Sequence, residues 1–222
     1  MSSVQFTWSY SALKDYTNCP RQYHQVRIVK SYTKKITHQI TYGKEVHKAL
    51  EDYVREGKPL LKNYEVYKSA LDALITAPGT KYPEHEMALT LDKQPCGFND
   101  EGRWVRGIAD LLIVDEDHAY IIDYKTGNDK YPDLKQLRLM ALMVFAHFPE
   151  VNTIKVGLLF IVRGSFVDEA YERKDIDSLW DSFSDDLTRM KISMETDVWN
   201  PNPTPLCGWC PVQTCEYYRE RR

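Results

Sequence analysis

Asp123 and Lys125 sit at the end of an apolar run, IIDYKTG over residues 121–127. Alternate side chains along a strand share a face, so these two point one way and Tyr124 the other. A second acid, Asp110, ends the segment GIAD at 107–110, and the short acidic turn DEDH at 115–118 separates the two runs. That pattern predicts a hairpin, and pairing its strands brings Asp110 close to Asp123. Two ionised carboxylates so placed repel strongly. A divalent cation between them offsets the cost, and oxygen ligands suit Mg²⁺ or Mn²⁺. Such an ion polarises a phosphodiester and lowers the pKa of a bound water. Lys125 would then position that water or stabilise charge developing on phosphate. The competing reading is an ordinary surface ion pair, contributing about 0–1 kcal/mol.

A second group of chemically capable residues lies in the tail. CGWCPVQTC places Cys207, Cys210 and Cys215 within nine residues. Three thiols this close point to a metal, and Cys19, before Pro20, is the candidate fourth ligand from the other end of the chain. Zinc and an iron–sulfur cluster both accept four thiolates, and spacing does not choose between them. Cys96, in the turn KQPCGFNDEG, reads as a free cysteine.

The surrounding sequence must position these groups. Helices are predicted at SALKDY, across NCPRQYHQ, over 43–56 and over about 62–76. Strand-like runs follow: EMALTLD, WVRGIADLLIV and AYIIDYKT. A nearly all-apolar helix over 133–147 leads to the strands TIKVGLLFIVR and FVDEAYE, and a long helix covers about 174–195. The order implies an α/β fold, a mixed sheet flanked by helices. The chain reads as one domain over 1–222, with a helical part over 1–80, an α/β core over 81–196 and a cysteine-rich tail over 197–222 closing onto Cys19.

Composition is that of an ordinary globular protein, 43% hydrophobic and 27% charged, with no apolar run long enough to span a bilayer and no signal-peptide layout at the start. The expectation is an intracellular, cytoplasmic protein without a membrane partner. Net charge is −3, yet no acid occurs from Tyr16 to Lys44, where Arg21, Arg27, Lys30, Lys34, Lys35 and Lys44 fall. Such a stretch is a candidate phosphate-binding surface; the plain alternative is a solvated basic helix and loop.

Taken together, these stretches resemble the PD-(D/E)xK nuclease superfamily, in particular its RecB-like branch. GIAD, IIDYKTG and QLRLMA carry the likeness, with GKEVHKALE and WSYSALKDYTNCPRQYHQ upstream. The resemblance implies a restriction-endonuclease-like core. By position it makes His47, Asp110, Asp123 and the carbonyl of Tyr124 metal ligands. It makes Lys125 the catalytic lysine and places Gln136 near the active site. Glu86, on the strand before the hairpin, is the candidate for a further acid. One departure is Met140, where the family often has tyrosine. A subset of this branch holds a 4Fe–4S cluster with one cysteine before the core and three after it, which implies Cys19, Cys207, Cys210 and Cys215 as its ligands, with Zn²⁺ the alternative. The four-residue second gap departs from that subset's usual five.

The expected activity is therefore Mg²⁺- or Mn²⁺-dependent hydrolysis of DNA, as an exonuclease on single strands or ends, in recombination, repair or processing. A helicase or a single-strand annealing protein is the expected partner, and the compact form would suit a phage-encoded enzyme acting in a host cell. Tyr10, Tyr23 and Trp209 are candidates for guiding the strand by stacking, although burial in the core is the more ordinary fate of such rings. The rivals are a non-catalytic DNA-end-binding module and a structure- or site-specific endonuclease.

Overall fold

Ser9 starts the first helix: its Oγ accepts the Ala12 N–H at 3.4 Å, opening α1, Tyr10–Asn18. Cys19 breaks that helix in an extended conformation, and Pro20 starts the short α2, Pro20–Tyr23, which runs on as a π turn over 24–28. Pro at a first helical position has no N–H to lose, which is why the chain restarts there. The computed structural model describes residues 6–34, 36–127, 132–161 and 165–219. The chain forms two compact units, one of residues 37–180 and one of residues 1–36 with 181–222.

In the larger unit, α3 spans His38–Glu56 and ends at Gly57, whose φ of 67° is the left-handed conformation that stops helices. The helix starts five residues before the Gly43 start expected from the sequence, because Thr37 Oγ1 accepts the Ile40 N–H at 3.4 Å. A 3₁₀ turn over 62–67 leads into α4, Lys68–Thr76. The strands are β1 Thr80–Thr90, β2 Pro95–Cys96, β3 Arg103–Asp115, β4 His118–Lys125, β5 Thr153–Phe160 and β6 Ser165–Glu172, with α5, Lys135–His147, between β4 and β5. They form one six-stranded sheet of order β2-β1-β3-β4-β5-β6. Only β4 and β5 run parallel; their connection carries α5, as a parallel crossover requires.

Helices flank the sheet as expected. Val46 and Leu50 of α3 and Leu71 of α4 pack with Leu111, Ile113, Ile122 and Tyr124. Each such aliphatic side chain contributes about 1.5–3 kcal/mol on burial. The packing fixes α3 against the end of the hairpin. Helix α5 is buried along most of its length and contacts β1, β3, β4 and β5. Its last carbonyls are held by Arg173, which donates to the carbonyls of Phe145 and Phe148 at 2.9 and 2.8 Å. The start of α5 is thereby set for Gln136.

The smaller unit holds α1, α2 and residues 181–196 of the last helix, α6, Ile176–Thr196. Tyr16 Oη and Ser193 Oγ share a buried hydrogen bond of 2.8 Å. Tyr16, Tyr23 and Trp199 meet as an aromatic cluster, and His24 stacks on Trp199 with ring centres 4.7 Å apart. The tail is irregular apart from a 3₁₀ turn, Pro205–Trp209. Among the described residues, no helix is long and apolar enough to cross a membrane.

Candidate active site

The hairpin pairs Leu111 with Ile122, so the next position sets Asp110 opposite Asp123. On the other side, β1 pairs Pro83 with Leu111 and His85 with Ala109, which sets Glu84 opposite Asp110. Three carboxylates thus lie in one row across three neighbouring strands. The ladder opens along this row for local reasons. Asp110 Oδ2 accepts the Tyr124 N–H at 2.7 Å, taking a donor from the backbone. Glu84 has a φ of 48°, a left-handed conformation that costs a non-glycine residue about 1–3 kcal/mol. Pro83 before it has no N–H to pair, and its carbonyl accepts Arg55 Nη2 at 2.8 Å.

Helix α3 brings His47 to this row. Its Nδ1 lies 3.4 Å from Asp110 Oδ2, and its ring meets Tyr124 edge-on. One ligand atom each of His47, Glu84 and Asp110 lie within 4.8 Å of one another. At the other end of the row, buried Asp123 accepts Gln136 Nε2 on Oδ1 at 2.8 Å. Gln136 Oε1 in turn accepts Lys125 Nζ at 3.2 Å. Lys125 Nζ is also 2.5 Å from the buried Asp123 Oδ2, an ion pair between the two side chains.

The electrostatics follow from the crowding. Burial pushes the Glu84 carboxyl up to about 7, with Asp110 and Glu51 adding to the shift and His47 and Arg55 opposing it. Asp123 is likewise raised by burial and by Asp110, against Lys125 and His47. Burial draws His47 down, but the hydrogen bond and charge of Asp110, with Asp123 and Glu84, outweigh it and leave the imidazole raised. A positive ion among these groups would offset the crowding of the carboxylates and take the place of a proton on His47. An imidazole nitrogen and the carboxylate oxygens of Glu84 and Asp110, close enough together to share one ion, are a donor set that fits Mn²⁺ or Mg²⁺.

The family model of the PD-(D/E)XK nuclease superfamily matches residues 7–215. The chain belongs to the PD-(D/E)XK nuclease superfamily. Its mixed sheet flanked by helices is the restriction-endonuclease-like fold of that superfamily, and PD-(D/E)XK nucleases use divalent metals. Among solved structures, the chain is similar to a proposed exonuclease from Eubacterium rectale, at 12% identity and a TM-score of 0.52, over 97% of this chain and 88% of that one. It is also similar to a protein named SSO0001, at 13% identity and a TM-score of 0.42, over 96% and 87%. At 12% identity the likeness to the Eubacterium rectale protein is one of fold. No curated protein matches the sequence.

Within this PD-(D/E)XK chain, the structure brings His47, Asp110, Asp123, Tyr124, Lys125 and Gln136 near one another. The acid that β1 adds is Glu84; Glu86, singled out from the sequence, is exposed two residues further on, opposite Ile108. Met140, in the family's tyrosine position, is buried against Gly107, where an added β-carbon would lie 2.4 Å from Met140 Cε. The place is filled by packing, and the small residue on β3 makes room for it.

Cys19, Cys207, Cys210 and Cys215 line a single cavity in the smaller unit, and none forms a disulfide. Burial pushes the Cys210 thiol up, and the other three cysteines lie close enough to add to that shift. Backbone N–H groups of Asn202 and Thr204 point at the sulfurs of Cys19 and Cys207, at 3.4 and 3.3 Å. The four cysteines share this lining, but among the described residues the ligand atoms close enough together to hold one ion are those of His47, Glu84 and Asp110. Cys96 stands apart in β2.

The basic segment is less free than its sequence implies. Arg27 and Lys34 both pair with Asp15 at 2.6 Å, and Arg21 pairs with Glu216. Lys30 is exposed, and Lys35 lies outside the described residues. Of the aromatic candidates, Tyr23 is core, Tyr10 is half-buried and Trp209 is exposed.

Proposed function

We propose that the protein is a metal-dependent deoxyribonuclease of the RecB-like branch, an exonuclease acting on single-stranded DNA or DNA ends during recombination, repair or processing. The observation that carries this reading is the row Glu84–Asp110–Asp123, with His47 at one end and the Gln136-tethered Lys125 at the other. His47, Glu84, Asp110 and Asp123, with the Tyr124 carbonyl, would hold Mg²⁺ or Mn²⁺. Bound there, the ion would polarise the phosphodiester and lower the pKa of the attacking water. The chain's own groups do the rest. Gln136 holds the Lys125 ammonium beside the acid row, where it donates to a non-bridging oxygen as negative charge builds. The half-buried setting weakens screening by water and strengthens that interaction. The water oxygen bonds to phosphorus as the ester P–O bond breaks; of the water's two protons one ends on the departing oxygen, giving a hydroxyl, and the other passes from the new phosphate to solvent.

The reading extends to the tail: Cys19, Cys207, Cys210 and Cys215 hold a 4Fe–4S cluster, with Zn²⁺ as the alternative. Its part is a staple between chain ends, since closing a long loop constrains the unfolded ensemble. Linear and circular DNA, single- and double-stranded, incubated with Mg²⁺, Mn²⁺ or EDTA, tests the activity. Degradation of linear DNA alone, abolished by EDTA, is expected. Cutting of circles would make it an endonuclease, and binding without cutting would end the catalytic reading. A brown preparation containing iron is expected; a colourless anaerobic one containing zinc overturns the cluster.

A further inference from the structure

The acid row opens into a groove of about 470 Å³, lined by Gly43, Lys44, His47, Glu84, Asp110 and Thr126 among others. An ion with six waters, at roughly 30 Å³ each, fills less than half of that space. What remains is bordered by α3 and by the residue just after Lys125. Such a groove repels a nucleic acid unless it also presents positive charge. Two lysines of α3 line it. Lys48 is neutralised by Asp52 at 2.8 Å and Glu51 at 3.2 Å. Lys44, three residues before His47 and so on the same helix face, makes no ion pair among the described residues. Thr126 approaches the same face: a β-carbon on Gly43 would lie 3.3 Å from its Oγ1. Glycine at 43 is what lets that hydroxyl lie against the helix beside Lys44. Like Lys44, the Thr126 hydroxyl has no partner among the described residues.

We infer that Lys44 and the Thr126 hydroxyl form a phosphate subsite, binding a non-bridging oxygen of the DNA backbone next to the phosphate that is cut. The inference rests on the nuclease reading and adds a binding site to it. An ammonium supplies charge and a hydroxyl supplies a directed donor, and together they hold the strand in register without reading its bases. Lys125 stays separate, tied to Gln136 and Asp123.

The test measures binding of a single-stranded oligonucleotide in Mg²⁺ on a Lys125→Ala background, so that the strand survives. Adding Lys44→Ala should weaken binding about tenfold and make log K against log salt shallower by about 0.7, one phosphate contact on a single strand. Thr126→Val should weaken it about threefold without changing the slope. In the otherwise unaltered protein, Lys44→Ala should lower kcat/KM by a similar factor, with the loss carried by KM. Strands with and without a 5′-phosphate separate two sources: loss with both assigns an internal phosphate, and loss with the phosphorylated strand alone assigns the terminal one. Unchanged affinity and salt slope in Lys44→Ala, or an equal loss in Lys48→Ala, overturns the subsite. Absence of metal-dependent cutting in the unaltered protein overturns the nuclease reading instead, so the two failures are distinct.

Discussion

The acid row of the larger unit and the cysteine corner of the smaller one both gather groups that repel one another when charged, but they are built differently. The carboxylates hang from β1, β3 and β4, and Asp110 and Asp123 accept hydrogen bonds from the Tyr124 N–H and Gln136. The cysteines hang from a helix break and an irregular tail, and two backbone N–H groups are the donors aimed at their sulfurs. The sheet can carry its acids without an ion. The tail is held by scattered contacts: Arg21 pairs with Glu216, Tyr32 Oη shares a 2.9 Å hydrogen bond with Thr214 Oγ1, and Asn202 Nδ2 donates to the Asn18 carbonyl at 3.0 Å. On the reading proposed above, a metal at the first site serves chemistry and one at the second serves the fold.

Two substitutions break that comparison most sharply. Asp110→Asn keeps an oxygen for the Tyr124 N–H but removes a charge from the row. Cutting should fall by roughly 10³-fold or more while the melting temperature hardly moves. Cys210→Ser should do the reverse. It should release the bound metal and lower the melting temperature by about 5–15 °C, the equivalent of losing a cross-link of a few kcal/mol. Metal analysis, a degradation assay and thermal melts of both variants check the pair. Unfolding of Asp110→Asn, or an unshifted melt of metal-free Cys210→Ser, would reverse the assignment of roles.

Gln136 sharpens the picture of the acid row. Gln136→Ala frees Lys125 from its tether and should lower kcat about tenfold, roughly one charged hydrogen bond, with KM for DNA little changed. An effect on KM alone would make the residue a DNA contact.

The smallest effect concerns pH. Glu84 is raised from its ordinary 4.5 to about 7 by burial and neighbouring acids. Between those values the folded chain keeps the proton that the unfolded chain has released. Metal-free protein should therefore lose stability as pH rises from 4.5 to about 7, with the loss complete above that, and Asp123, also raised, adds the same sign. Glu84→Gln should flatten the profile, as should saturating Mn²⁺ in the unaltered protein. A mutant profile parallel to the parent's would clear Glu84 of the effect.

The hairpin acids were legible in the sequence because alternation and a short turn fix which positions oppose each other. Gln136 and His47 were legible only through resemblance, since a glutamine or histidine on an apolar helix has ordinary structural uses. Glu84 escaped because Pro83 interrupts the strand pattern and the left-handed backbone at 84 leaves no periodic trace; the strand was read from Glu86, six residues after its true start at Thr80. The acid-free span looked like open positive charge because Asp15 and Glu216 lie outside it in sequence and return to it only through folding.

The unusual backbone at Glu84 has a bearing on how such proteins change over time. Glycine takes that conformation without steric strain, so selection for heat tolerance alone would favour it there wherever that relief exceeds its larger loss of freedom on folding. That exchange would give a sturdier chain with one carboxylate fewer in the acid row.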